Sequence, residues 1–126
     1  MSKRSGWIGV DFDKTLSYYD GYKGHLIFGD PIPKMLERVK KWVADGVEVR
    51  IFTARVAPQL EPDGTPRDVE AIRKGIEDWT ELHVGKRLIV TNIKDHKMFE
   101  LWDDRAVQVV PNTGERVGKE EPIPEA

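Results

Sequence analysis

Residues 7–16 read WIGVDFDKTL, and the fold is decided there. Trp7, Ile8, Val10 and Phe12 make a short apolar run that ends in the carboxylates Asp11 and Asp13. A run of that length bounded by polar turn residues predicts a buried strand over 7–12. Downstream, SYYDGYKGHLIFGD at 17–30 carries two hairpin-type turn signals, Asp20-Gly21 and Lys23-Gly24, between aromatic and branched residues. It predicts a short β-hairpin flap after strand 1. Pro33 suits a first helical turn, Met35, Leu36, Val39, Trp42 and Val43 recur at helical spacing, and Gly46 stops the helix.

VEVRIFT at 47–53 predicts the second strand. After a loop with Pro58, Pro62 and Gly64, Thr65-Pro66-Arg67-Asp68 resembles a capping box with Pro66 at its first position. Val69, Ile72, Ile76, Trp79 and Leu82 form the apolar stripe of the helix that follows. RLIVT at 87–91 predicts a third strand and AVQVV at 106–110 a further one, while MFELWDD at 98–104 fits a helical turn or a short strand. Strands alternating with helices mean an α/β domain with a mainly parallel sheet. Residues 1–115 suffice for one such domain, and 116–126, ending in the Glu- and Pro-rich GKEEPIPEA, are expected to be a flexible tail.

Composition narrows the chemistry. The chain has 126 residues and no cysteine, which excludes disulfides, thiol catalysis and thiolate-held metals. A metal must then be held by oxygen or by His25, His83 and His96, which lack ligand spacing and are expected to be structural or surface residues. The net charge of -2 argues against general binding to nucleic-acid phosphates. No segment reads as a signal peptide or a membrane span, so a soluble cytoplasmic protein is expected.

In parallel α/β sheets ligands bind beyond the carboxyl ends of the strands. Those ends supply Asp11 and Asp13, then Thr53 and Arg55, then Asn92, Lys94 and Lys97, and Asp103 and Asp104 if MFELW is a strand. Convergence on one edge favours the strand, although Glu100 fits it awkwardly. Crowded carboxylates repel one another, and a hard divalent cation such as Mg²⁺ relieves the repulsion. A threonine hydroxyl and a lysine suit a phosphoryl group. One carboxylate can attack phosphorus, and a second, two residues on, can protonate the leaving oxygen and later activate water.

The same segments resemble the haloacid dehalogenase-like superfamily. VDFDKTL resembles its first motif, Asp-x-Asp-x-Thr after an apolar run; IFTAR resembles its second, and WDDRA its fourth. Lys94 lies in the region of the third, and Lys97 also fits loosely. Asp95 stands where relatives often have Pro, and Trp102 is bulky for a strand end. The resemblance implies a three-layer Rossmann-like domain. Residues 16–33 and 56–65 leave room for a flap and a loop but no cap domain.

It implies Asp11 as nucleophile and Mg²⁺ ligand, and Asp13 as general acid/base with its backbone carbonyl on the metal. Thr53 and Lys94 would hold phosphoryl oxygens, Asp103 and Asp104 would ligate Mg²⁺, Thr15 would support the first loop, and Arg55 would hold substrate or brace the site. The implied activity is hydrolysis of phosphate monoesters through an aspartyl phosphate. The substrate would be a nucleotide, a sugar phosphate or a nucleic-acid end, though charge does not indicate the last. A phosphotransferase would share these residues. A non-catalytic module that binds a phosphorylated partner is the alternative from another class. A receiver domain fits less well, because its acidic pair precedes its phosphorylated Asp. An oligomer that covers the open site is compatible with the sequence.

Plainer roles stand beside these. Asp11 and Asp13 could be turn residues. Thr53 could be structural, Asp103-Asp104 a solvated turn, and Arg55 half of an ion pair. Tyr18, Tyr19, Tyr22 and Phe28 either stack on a base or pack the flap onto the body. Trp42 and Trp79 lie on helix stripes and belong to the core.

Overall fold

The structure, a computed structural model, describes residues 5–118. Four strands and two helices alternate: β1 (Trp7–Val10), α1 (Pro33–Ala44), β2 (Glu48–Phe52), α2 (Val69–Val84), β3 (Ile89–Thr91) and β4 (Met98–Trp102). The strands form one all-parallel sheet in the order β3-β2-β1-β4. MFELW is therefore a strand, as the convergence of strand ends required. Glu100 is tolerated because it is exposed, where it accepts from Trp102 Nε1 at 3.1 Å. The β1–β4 register shifts between Trp7 and Ile8.

Both helices pack on one face. Met35 and Val39 of α1 and Ile72, Ile76 and Trp79 of α2 join Ile8, Val10, Val49, Ile51 and Val90 in one buried cluster. Strand pleating sends Trp7, Gly9 and Arg50 to the other face. Among the described residues no helix covers that face, so the expected third layer is not among these elements. The link from β3 to β4 crosses there instead. Residues 92–97 are too few to build a crossover helix, which takes about a dozen or more. Asp95 of this strap accepts from Trp7 Nε1 at 2.9 Å and pairs with Arg50 at 3.7 Å. The Arg50 guanidinium lies 4.6 Å from the Trp7 ring centre. The strap thus leaves Trp7 at 0% exposure without a helix above it.

The start of α2 corrects the expected cap. Asp68, not Thr65, is the N-cap, accepting from Ala71 N at 3.1 Å. Thr65 instead closes a turn on Asp63, and Pro66 bridges to Leu60. Leu82 is 77% exposed and leaves the stripe to Thr80 and Val84. AVQVV is not a strand: Val109 bridges only to Arg116, and Val107 and Val109 stay exposed. Arg116 and Val117 turn back on this segment, with Val117 N donating to Gln108 O at 2.8 Å. The expected tail beyond residue 118 lies outside the described residues.

Residues 17–31 form a loop whose ends meet, with Ser17 bridged to Pro31 and Tyr18 N donating to Asp30 O at 2.8 Å. No strand is assigned within it. It is pinned to the body by side chains. Phe28 meets Phe12 edge-on at 5.6 Å, and Trp79 Nε1 donates to Gly29 O at 3.0 Å. Two glycines permit this docking by close approach. A Cβ on Gly75 of α2 would sit 3.0 Å from the Phe28 ring, and one on Gly29 would sit 1.9 Å from Tyr18 O. Gly75 accepts a helix-propensity cost of about 1 kcal/mol to admit that ring. No helix among the described residues is long and apolar enough to cross a membrane.

Candidate functional site

The carboxyl ends of β1, β2 and β4 meet at an open cavity of about 530 Å³. Asp11 follows β1 directly, and its backbone N–H donates to Trp102 O at 2.9 Å, locking the ends of β1 and β4 together. Asp103 and Asp104 follow β4, so the lock brings all three carboxyls together. One oxygen from each of Asp11, Asp103 and Asp104 lies within 4.8 Å of the others. Thr15 Oγ1 lies 3.3 Å from Asp11 Oδ2 and 3.4 Å from Asp104 Oδ1, supporting the loop as expected. Asp103 is steadied by Arg105 N at 2.8 Å.

Crowding marks the electrostatics. Asp11 is pushed from 3.8 up to about 7, mainly by burial, then by its hydrogen bond to Asp104 and by the negative charges of Asp103 and Asp104. An oxygen-rich, cysteine-free cluster of three carboxyl groups is a fit for a hard divalent cation. The three carboxylates expected to ligate a metal through their side chains thus come together. Asp13, expected on the metal only through its backbone carbonyl, keeps its side chain apart from them.

Asp13 is held by Arg55, with Nε donating to Oδ2 at 2.8 Å and Nη2 to Oδ1 at 2.9 Å. The same guanidinium donates to His25 O at 2.8 Å, and to Gly24 O at 3.4 Å, both on the flap loop. Arg55 is therefore a brace rather than an open ligand. Each Asp13 carboxyl oxygen accepts one bond of this fork and keeps further lone-pair capacity, so the fork orients the carboxyl without closing it to proton transfer.

Thr53 follows β2 and is buried. Its N–H donates to Thr91 O at 2.9 Å, and its Oγ1 accepts from Arg55 N at 3.1 Å, capping the short 3₁₀ turn Ala54–Val56. Because that oxygen accepts, the hydroxyl proton is left to donate into the cavity it lines.

The two lysines fare differently. Lys97 precedes β4, and its carbonyl accepts from Trp7 N at 2.8 Å, at the opposite edge of the sheet. Lys94 leaves β3 on the near edge, yet it is exposed and is not among the residues lining the cavity. The cations that do line it are Lys14, Arg55, Arg67 and Arg105. Arg67 is tied to Glu61 and to the carbonyls of Ala54 and Arg55. Lys14 sits inside the first motif at φ 71°, a conformation costing a non-glycine residue roughly 1 kcal/mol. Lys14 and Arg105 adjoin residues singled out in the sequence, so adjacency was the signal for them; no pattern pointed to Arg67.

The flap aromatics split between the two expected roles. Phe28 packs on the body, whereas Tyr22 is 67% exposed and lines the cavity with Tyr19 and His25. His25, expected to be structural or surface, belongs to this wall, with Nε2 3.1 Å from Glu61 Oε2. His83 packs on Trp79 and His96 is exposed. Trp79 is core as expected, and Trp42 packs against the core partly buried. Compared with known protein families, characterised proteins and solved structures, the chain finds no match in any of the three.

Proposed function

We propose that the protein is a Mg²⁺-dependent phosphohydrolase that cleaves phosphate monoesters through an aspartyl phosphate. The observation that carries this reading is the Asp11–Asp103–Asp104 cluster in the same cavity as the Thr53 hydroxyl and the cations Lys14 and Arg105. Mg²⁺ would be held by the three carboxylates, with the Asp13 backbone carbonyl as a further ligand, and would neutralise charge on the carboxylates and the phosphoryl oxygens.

Asp11 attacks phosphorus, and the bond from phosphorus to the leaving oxygen breaks. Asp13, oriented by Arg55 and protonated, gives its proton to that oxygen. As a carboxylate it then takes a proton from the water that attacks phosphorus, freeing Asp11 and inorganic phosphate. Thr53 donates its hydroxyl proton to a phosphoryl oxygen. The open cavity admits water, which favours hydrolysis over phosphotransfer. The superfamily reading carries a three-layer domain with a flap. On this reading the loop 17–31 would serve as the flap.

A panel of phosphate monoesters, assayed with Mg²⁺ and with chelator, tests the reading. Turnover that requires the metal is expected. A second reading, a non-catalytic module that binds a phosphorylated partner, draws on the grip of Arg55 on the carboxyl of Asp13. No turnover of any ester, together with retained phosphate binding, would favour that module. Among the lysines, Lys94→Ala is expected to slow turnover well beyond Lys97→Ala, because Lys97 is fixed at the far edge. If neither matters, the phosphoryl group is held by Lys14 or Arg105 instead.

A further inference from the structure

The cavity has two unlike walls. One carries the carboxylates and Thr53; the other carries Tyr19, Tyr22 and His25. A tyrosine that is two-thirds exposed contributes little to the core, so packing does not account for Tyr22. Its neighbours hold it in place. The His25 ring meets it edge-on at 5.3 Å, and His25 is fixed by Glu61. Glu61 is in turn fixed by Arg67. The His25 backbone carbonyl is held by Arg55, the residue that grips Asp13. The aromatic wall is thus tied by a continuous set of polar contacts to the site of the proposed chemistry. Lys14, whose ammonium lies 5.9 Å from the Tyr19 ring centre, stands between the two walls.

Resting on the phosphohydrolase reading, we propose that the leaving group carries a planar aromatic ring that stacks on Tyr22. The substrate class is then a nucleotide, with its phosphate at Asp11 and its base on the flap loop. A flat ring suits a Tyr–His wall because stacking tolerates any base and needs no pattern of hydrogen bonds. A bare sugar phosphate would leave the wall uncovered. The same chemistry could come from a free mononucleotide or from the terminal residue of a single strand. The modest net charge provides little long-range attraction for a strand.

The test compares kcat/KM for adenosine 5′-monophosphate and for ribose 5-phosphate in the full chain. The nucleotide is expected to be preferred about tenfold or more, and Tyr22→Ala to cut that ratio about tenfold, chiefly through KM. Tyr22→Phe should restore the ratio, since it keeps the ring. Equal use of the two esters, or a loss in Tyr22→Ala that is the same for both, overturns the ring site and leaves the phosphohydrolase reading standing. A 5′-phosphorylated oligonucleotide arm separates the sources: turnover that falls steeply with salt identifies the strand end, and salt-insensitive preference for the monophosphate identifies the free nucleotide. If no ester is turned over, calorimetric binding of adenosine 5′-monophosphate decides alone. Binding weakened about tenfold by Tyr22→Ala retains the ring site without catalysis, and binding that Tyr22→Ala leaves unchanged removes it.

Discussion

Asp11→Asn is expected to abolish phosphoester turnover and, at the same time, to stabilise the metal-free protein above pH 7. The first effect follows from removing the nucleophile, and losses on the order of 10⁴–10⁶-fold accompany such changes. The second follows from burial and from the negative charges around Asp11, which raise its carboxyl to about 7. Between 3.8 and 7 the folded chain keeps a proton that the unfolded chain has lost. The Asp11 contribution to stability is therefore present below about 4, falls as pH rises through that window, and is gone above 7. The carboxylate is partly exposed, so the discounted effect is about 1–2 kcal/mol. Asparagine has no such charge to desolvate. Thermal melts in chelator at pH 5 and pH 8 should show the variant gaining on the wild type as pH rises, and Mg²⁺ should stabilise the wild type more than the variant. A variant that is inactive and also less stable at pH 8 would show a folding defect in place of a lost nucleophile. Full activity in the variant would refute the mechanism.

Arg55→Ala is expected to be the most damaging substitution of a residue that need not touch phosphorus. Arg55 is 11% exposed, and its partner Asp13 is 26% exposed. Removing one partner of a largely buried, forked pair leaves the other uncompensated, at a cost of about 2–4 kcal/mol here. The flap carbonyls of Gly24 and His25 lose their donor in the same step. Turnover should fall on the order of 10²–10³-fold, because Asp13 loses its orientation and proton transfer is worth about that much. Limited proteolysis should cut the variant within residues 20–27 sooner than the wild type. Arg55→Lys should recover part of the stability and little of the turnover, since one ammonium cannot span both carboxyl oxygens and the flap. Wild-type turnover in Arg55→Ala would mean that Asp13 needs no partner.

The strand ends were readable because two local signals coincide there: an apolar run sets the strand, and the first polar residues after it set the edge. Asp11, Thr53, Asp103 and Asp104 obey that rule, and the sheet brings them into one cavity. Non-local partners were not readable. Nothing near Asp13 says that a guanidinium 42 residues away takes both its oxygens. The cap of α2 falls on Asp68 and not Thr65 because Thr65-Pro66-Arg67-Asp68 contains two capping residues, and the turn that Asp63 makes takes up Thr65. AVQVV has the composition of a strand but makes only the isolated bridge from Val109 to Arg116 and joins no strand of the sheet, and composition alone cannot supply a partner. The strap left no sequence signal beyond its length, yet it covers Trp7 on the face where no helix lies among the described residues.

The place of β1 between β2 and β4 has a consequence for how the protein becomes competent. Its pairing with β2 joins Trp7 to Glu48, whereas its pairing with β4 joins Trp7 to Met98, positions 98 - 7 = 91 residues apart. Contacts that distant in sequence cost more loop-closure entropy than local ones. Asp103 and Asp104 reach Asp11 only through that last pairing. The mutual repulsion of the carboxylates is therefore felt only when β4 is paired with β1. A chain in which β4 is undocked has half a site, so the carboxylate cluster reports that the β1–β4 pairing is made.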